Sequence, residues 1–329
     1  RVGAPDALMQ PAKTYLQIVG GFCILNALIP ICSSYLRAFG FSKEPLYASI
    51  IGNVINFCLN AFFLFVLHKG VAGVATATVI SRIINLVIVV LLGAVLVKAK
   101  QHPERESNRA VMGQIIRIGL PSACETAIYN VSMTLVIRFL NQMDAQGLNV
   151  TARSYTMQIT NFSYCVGAAL AQANAIMTGW HIGAKEYDAC DRGTKKAAVI
   201  GVIVAVILET VFTLCSGWIM QLFSKDPQMV SLVGKLLAID IVLEIGRVTN
   251  LVYGQALKTS GDAVFPVVMG ACFMILCSVG GTYLFGIRLG LLAVGAYIGM
   301  TGDECVRAVG MYLRWKSGKW KEKGLVKSR

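Results

Sequence analysis

The chain has little charge: Asp, Glu, Lys and Arg make up 14% of its 329 residues, against about 25% in soluble globular domains. It has only three histidines, and its ten cysteines form no CxxC pair, so neither a metal site nor a disulfide framework is predicted. The sequence also lacks a strand followed by a glycine-rich phosphate loop, and no Ser-His-Asp arrangement can be argued. The low charge excludes an ordinary water-soluble surface, and the missing motifs argue against an enzyme.

Apolar residues take the place of charge. They make up 56% of the chain, and the mean hydropathy is +0.64. Residues 14–36, 45–67 and 263–287 contain no charged side chain, and each exceeds the roughly 20 residues that a helix needs to cross a bilayer. We predict an all-α membrane protein, a polytopic helical bundle with nine transmembrane helices at about 14–36, 45–67, 71–97, 115–140, 154–179, 197–223, 229–255, 263–287 and 289–313.

The net charge of +13 is unevenly distributed along the chain. Nineteen of the 30 Lys and Arg residues fall in one alternating set of loops, which includes the C-terminal tail, and eight fall in the other set. The positive-inside rule therefore predicts a cytoplasmic C-terminus and places residue 1 outside. The basic excess is explained by membrane topology, so a nucleic-acid partner is not predicted.

Two turns of the chain repeat each other. Residues 36–45 and 257–266 both read L-[RK]-x-x-G-x4-P, and each is followed by an apolar helix and then by similar segments at 70–74 and 290–294. The offsets are 221 and 220 residues. Six predicted helices separate the copies, so both have the same orientation, as in transporters built from repeated lobes. By symmetry we expect a parent of twelve helices in two lobes, whose first three helices precede Arg1.

This repeat divides the chain into four predicted parts. The second half of an N-terminal lobe, with three helices, spans 1–97, and a cytoplasmic inter-lobe linker spans 98–113. A C-terminal lobe of six helices spans 114–314, and a basic cytoplasmic tail spans 315–329.

Motifs along nearly the whole chain resemble the MATE (multidrug and toxic compound extrusion) family. They are Leu36-Arg37, the Asn-rich helix at 53–60, GVAGVATATVIS at 70–81, IGLPSACE at 118–125, Gly183-Ala184, Glu244-x-x-Arg247-x-x-Asn250 before LKTSGDAVFP, Asp303-Glu304-x-x-Arg307, Arg314-Trp315 and Gly318-Lys319-Trp320.

The resemblance implies a twelve-helix, two-lobe exporter with a central cavity between its lobes. Such a protein would sit as a monomer among the lipids of the cytoplasmic membrane and would exchange small amphiphilic or cationic substrates for Na⁺ or H⁺, with no other cofactor. Two alternatives stay open, a lipid-linked sugar flippase of the same superfamily and a non-transporting membrane receptor or scaffold.

Ionisable side chains inside a bilayer cost roughly 2.5–3.5 kcal/mol each, so they are candidates for function. Glu125 lies four residues after Pro121, which frees a backbone carbonyl, and we predict that it carries the coupling ion; a hydrogen bond that packs helices is the alternative. Asp240, Glu244 and Arg247 share one helix face. We expect Glu244 and Arg247 to pair, which leaves Asp240 as a second coupling candidate.

Asp303, Glu304 and Arg307 are spaced for ion pairs on the last helix. We interpret them as mainly structural, with a role as an inner gate as the alternative. Glu209 stands alone in its helix, where it either faces a cavity or extends to the membrane surface, and the sequence does not decide between these.

Asn56, Asn60 and Thr78 match positions where some MATE relatives bind a cation or form a proton network. The resemblance therefore implies an ion site in the first lobe, and interhelical hydrogen bonding is the alternative. Aromatic and methionine side chains are either cavity lining for flat lipophilic cations or simple helix packing; these are Tyr129, Met133, Met157, Phe162, Tyr164 and Met177.

Overall fold

The computed structural model describes residues 6–98, 108–143 and 147–323. All regular secondary structure among these residues is helical, which confirms the predicted all-α class. The chain divides into two compact units, Arg1–Arg105 and Glu106–Arg329. The boundary between these units falls inside the predicted linker.

The first unit is built around its last helix. Its described helices are α1 (Asp6–Gly21), α2 (Leu25–Ala38), α3 (Lys43–Ala61, extended by a π-helical segment at Phe62–Val66) and α4 (Gly70–Lys98). α4 packs against each of the other three.

The prediction of a single helix at 14–36 is wrong, because the structure has a bent pair of helices there. The axis bends by 42° between α1 and α2. After the pair Gly20–Gly21, the amides of Phe22 and Cys23 each donate to the carbonyl three residues earlier, at 3.3 and 3.1 Å. Such tight turns replace the regular helical bonds where two glycines leave the backbone free to bend.

In the second unit, α9 lies at the centre and packs against α6, α7 and α11. The described helices are α5 (Asn108–Met143), α6 (Leu148–Gly183), α7 (Tyr187–Leu214), α8 (Ser216–Met220), α9 (Pro227–Thr259), α10 (Val264–Phe273, followed by π-helical segments at Met274–Val279 and Thr282–Arg288) and α11 (Leu292–Lys316).

Each of the nine predicted segments coincides with a long helix or a bent pair. Four helical spans are long and apolar enough to cross a membrane by themselves, at Lys43–Val66, Gly70–Val97, Tyr187–Leu214 and Val264–Arg288, and the bent pair α1–α2 makes a fifth. The four remaining long helices, α5, α6, α9 and α11, carry most of the polar side chains described below. Large apolar side chains such as Phe65 and Leu214 are 77% and 80% exposed, as expected of a surface that faces lipid.

Two predicted boundaries are corrected. α5 already begins at Asn108, so the linker is shorter than 98–113, and the segment 197–223 breaks at Cys215 between α7 and α8. The segment predicted as a basic tail, 315–329, also contains two buried rings: Trp315 and Trp320 are each 1% exposed, and their rings stack at 4.2 Å. Two apolar rings bury more surface when they fold back on the helix end than when they stay in water.

Small residues let the central helices of the second unit approach closely. A Cβ atom on Gly167 of α6 would lie 2.8 Å from one methyl group of Val248, and one on Gly201 of α7 would lie 2.7 Å from the other. Val248 therefore occupies a notch formed by two glycines, an arrangement typical of packed membrane helices.

The first repeated turn has the same backbone in both units. In residues 36–41 and 257–262, the last amide donates to the first carbonyl at 3.0 and 2.9 Å. Gly40 and Gly261 have φ angles of +88° and +91°, a left-handed conformation in which a side chain would be strained. The predicted offset of 221 residues is confirmed here.

At the second repeated turn, the predicted offset of 220 is wrong by two residues. The amides of Gly73 and Gly295 each donate to the carbonyl four residues earlier at 3.3 Å, and Gly70 and Leu292 share a φ of +52°. These pairs are 222 residues apart. The sequence comparison matched Gly70 with Gly290 because both are glycines, whereas the backbone places Leu292 in the equivalent strained position.

Candidate transport site

The charged face predicted on α9 is buried inside the second unit. Asp240 and Glu244 are 2% and 0% exposed. Arg247 donates to Oε2 of Glu244 at 2.7 Å, so the predicted pair is present. Oε1 of Glu244 and Oδ2 of Asp240 are buried without a hydrogen bond. The face therefore holds carboxylate oxygens that the described protein groups do not satisfy.

Glu209 of α7 is a further buried acid. Its side chain is 0% exposed, and neither of its carboxylate oxygens makes a hydrogen bond. It lies within electrostatic range of Asp240 and Glu244 on α9. Of the two positions that the sequence left open, the surface position is thus excluded.

The acidic and basic residues of α11 form a network that reaches two other helical segments. Arg307 donates to both carboxylate oxygens of Asp303, at 2.8 and 3.0 Å, and lies 2.9 Å from Oε1 of Glu304. Asn250 of α9 donates to Glu304 at 3.0 Å, and Ser278 donates to Asp303 at 2.9 Å. Both predicted pairs are therefore present, and they connect α11 with its neighbours.

Glu125 is paired with a cation that the sequence did not single out. Its Oε2 lies 2.6 Å from Nζ of Lys258. Glu125 follows Pro121 on α5, and Lys258 lies at the end of α9, in the second copy of the repeated turn. The two side chains are largely buried, at 17% and 19% exposed.

Two adjoining cavities lie between these helices. The Asp240 cavity, of about 240 Å³, and the Glu125 cavity, of about 410 Å³, share Tyr129, Tyr164, Arg247 and Glu304. The Asp240 cavity is also lined by Met133, Arg153, Met157, Thr160, Asn161, Asp240, Leu243, Ser278, Tyr297, Met300 and Asp303. Apolar walls with a few convergent charges are typical of a binding site for small molecules.

The candidate residues of the first unit form a neutral network. Asn60 donates to Asn56 at 3.0 Å, and Asn56 donates to Ser81 of α4 at 3.1 Å. The hydroxyl of Thr78 instead donates to the carbonyl of Val74 in its own helix, at 2.9 Å. The interhelical hydrogen bond considered as an alternative is therefore present, and Oδ1 of Asn60 stays buried without a partner.

Comparison with known proteins identifies the family. A family model described as MatE matches residues 1–62 and 121–284, which is more than half of the chain. The chain belongs to the MatE family. The "Uncharacterized transporter YisQ" of Bacillus subtilis (strain 168) is 34% identical over 331 residues, with 99% of this chain and 72% of the relative covered. The "Probable multidrug resistance protein NorM" of Thermotoga maritima is 22% identical over 326 residues, covering 96% and 68%.

Solved structures of MATE transporters share the fold. A MATE crystal structure in complex with MaL6 superposes with a TM-score of 0.85 at 18% identity, covering 97% of this chain and 73% of that one. The MATE transporter ClbM in complex with Rb⁺ gives 0.76 at 17% identity, covering 90% and 66%. The family match and the relatives together show that this MatE chain is a multi-pass membrane transporter of the multidrug and toxin extrusion family and not an enzyme.

The MatE fold brings most predicted site residues of the second unit together and separates others. Of the predicted lining residues, Tyr129, Met133, Met157 and Tyr164 line the Asp240 cavity, whereas Phe162 and Met177 line neither of the two cavities.

Four residues that contribute to these sites were missed as candidates. Lys258 was recognised only as a repeat residue and Ser81 only as the end of the motif at 70–81, and Tyr297 carried no signal beyond its helical position. Arg153 was counted only as a loop charge, yet it is 7% exposed and lines the Asp240 cavity.

Proposed function

We propose that this MatE protein is a secondary antiporter that exports small amphiphilic or cationic compounds across the cytoplasmic membrane in exchange for Na⁺ or H⁺. The multidrug and toxin extrusion activity of the family supports the export half of this proposal. The cytoplasmic position of the C-terminus, which the distribution of Lys and Arg supports, belongs to the same proposal.

The observation that carries the coupling half is the group of unsatisfied carboxylates in the second unit. Asp240, Glu244 and Glu209 have buried oxygens without hydrogen bonds. A carboxylate in such a place must be neutralised by a proton or by a bound cation, because an isolated charge out of water costs many kcal/mol. A group that takes up and releases such a partner can couple substrate movement to an ion gradient.

Glu125 and Asp240 are the proposed carriers of the coupling ion, and they differ in whether a protein cation already neutralises them. Glu125 is already neutralised by Lys258 at 2.6 Å, so an arriving ion must displace the ammonium group. Asp240 lines the neighbouring cavity with one oxygen free, so an ion can bind there without displacing a protein group. The Rb⁺ in the ClbM complex belongs to that protein, and it makes a monovalent cation the first ion to test here.

Basic groups in the cavities are the feature that the flippase alternative requires. Four basic side chains line the two cavities: Arg153, Arg247, Lys258 and Arg307. Three of them pair with carboxylates. Little net positive charge is left to bind the diphosphate group of a lipid-linked sugar. The antiporter is therefore the better supported function.

The test is ethidium efflux from a drug-sensitive bacterial strain that expresses the full-length gene, with the Na⁺ and pH gradients collapsed in turn. We expect efflux to require one gradient and to be lost in Asp240→Asn and in Glu125→Gln. Glu186→Gln is the matched control, because Glu186 is exposed and, among the described residues, its carboxylate pairs with His181 alone. Normal gradient-driven efflux in both cavity variants would overturn the assignment of the carriers, and no efflux by wild type at good expression would favour the flippase.

A further inference from the structure

Arg153 differs from the other cations of the two cavities because no acid in the described part of the chain pairs with it. Arg247, Lys258 and Arg307 each lie within 3 Å of a carboxylate oxygen. For Arg153 the described residues provide no carboxylate within 4.0 Å; its Nη2 contacts the sulfur of Met133 at 3.6 Å, and its Nε is buried without a partner. A guanidinium group 7% exposed in this way is costly unless something else pairs with it.

An unmatched negative group faces the same cavity. Asp240 of α9 lines it with a buried, unpartnered Oδ2. Arg153 and Asp240 both lie within electrostatic range of Tyr297, yet they are not within ion-pair distance of each other. The cavity therefore has one unsatisfied cation and one unsatisfied anion on different helices.

Part of the lining of this cavity is apolar and aromatic. Along α6, Arg153, Met157 and Tyr164 recur at helical spacing, and all of them line the cavity. Tyr129 and Met300 complete this part of the lining from α5 and α11. Such a surface fits a flat, lipophilic molecular body.

We propose that the Asp240 cavity binds zwitterionic amphiphiles, with the substrate carboxylate on Arg153 and the substrate cation at Asp240. This inference rests on the proposed export function and specifies its substrate class. The planar guanidinium fork matches a carboxylate in a two-point hydrogen bond. A substrate with a positive charge alone, such as ethidium, could still bind at Asp240 but would leave Arg153 unpaired, so we expect it to bind more weakly than a zwitterion of the same shape.

A pair of dyes that differ in one group tests the proposal. Tetramethylrhodamine has a free carboxylate and a delocalised cation, and its methyl ester is the same cation without the carboxylate. Binding to the purified full-length protein is measured by fluorescence polarisation, without any ion gradient. We expect wild type to bind the acid more tightly than the ester, and Arg153→Gln to weaken binding of the acid by at least about tenfold while the ester is unaffected.

Three variants make the result specific. Arg138→Gln removes an exposed arginine on α5 outside the cavities and should change neither affinity. Arg153→Lys keeps the charge without the fork and should give an intermediate affinity for the acid. Because the described residues give Arg153 no acidic partner that would be left behind, Arg153→Gln should also keep or raise the melting temperature.

Two results would overturn the inference: equal weakening of both dyes in Arg153→Gln, or no binding of the acid to wild type. Because these assays use no gradient, their outcome is independent of ion coupling. A protein that binds the acid through Arg153 but fails the gradient experiment retains the zwitterion site and loses the antiporter proposal.

Discussion

The two units have the same backbone at their first repeated turn but bury different types of polar side chain. In the described residues of the first unit, the polar residues that are more than nine-tenths buried are Ser33 and Ser81, both neutral, and Glu44 buries one carboxylate oxygen. The second unit buries whole acids and arginines on several helices. Yet both units close their first repeated turn with a left-handed glycine, at Gly40 and Gly261, and the same hydrogen bond. Turn geometry and buried chemistry are therefore independent features, and each can be altered without the other.

The largest expected effect of a single substitution lies in the charged network of the second unit. Arg307→Gln leaves the buried carboxylates of Asp303 and Glu304 without their main partner, so we expect a loss of about 3–5 kcal/mol in the free energy of unfolding. Thermal unfolding of the purified protein in detergent measures it.

A double variant separates lost pairing from lost packing. Adding Asp303→Asn to Arg307→Gln should recover part of the stability, because one unpaired charge disappears. Arg288→Gln, at an exposed position, should stay within about 0.5 kcal/mol of wild type. If Arg307→Gln were as mild as this control, the network would not contribute to the stability of the second unit.

The second prediction concerns the equivalent glycines of the second repeated turn. A Cβ on Gly295 would overlap the backbone of Phe285, whereas one on Gly73 would lie 2.8 Å from the side-chain Cβ of Phe63. A Cβ atom moves with its own backbone, so both overlaps can be relieved only by backbone shifts. The approach at Gly295 is the closer of the two, so Gly295→Ala should cost about 3 kcal/mol and Gly73→Ala less. Melting temperatures of the two variants test this, and equal losses would show that the closeness of the neighbouring atoms does not determine the cost of the added Cβ.

The third prediction uses the first repeated turn, where the second unit has Asp262 and the first has Phe41. Asp262 is fully buried, and it accepts hydrogen bonds from Arg314 and from Lys323, both at 2.7 Å. Burial alone would raise the pKa of this carboxyl group, but the hydrogen bonds and charges of Arg314 and Lys323 outweigh it and lower the pKa. The ion pairs thus hold the tail of the second unit against this turn.

The sign of the pH effect follows from the lowered pKa. The stabilisation by Asp262 is fully present above the unfolded value of about 3.9 and is lost as the pH falls through the folded value. We expect Asp262→Asn to lose about 2 kcal/mol at neutral pH, with the difference from wild type shrinking below pH ~4. Asp188→Asn, at an exposed acid, is the control, and a difference that stays constant with pH would refute the ion-pair explanation.

How far the sequence predicts this molecule depends on how local each feature is. The nine spans and the pairs Glu244–Arg247 and Asp303–Arg307 were predictable because hydropathy and helical spacing act within one segment. The partner of Glu125 was not, since Lys258 lies 133 residues away in the chain. The lack of an acidic partner for Arg153 among the described residues could not be predicted either, because it is a property of the tertiary structure. The offset at the second repeated turn was wrong because Gly70 was aligned with Gly290 by residue type and not by backbone angle.

The smallest effect is expected in the neutral hydrogen-bond network of the first unit. Asn56→Ala removes the hydrogen bond to Ser81 and the acceptor for Asn60, and interhelical bonds of this kind contribute on average about 0.6 kcal/mol in membranes. A double-mutant cycle with Ser81→Ala isolates the bond between α3 and α4. A coupling energy near that value would assign the network to helix packing. If Asn56→Ala instead abolished gradient-driven efflux at unchanged stability, the first unit would hold a coupling site of its own, and the contrast between the two units would be one of charge only.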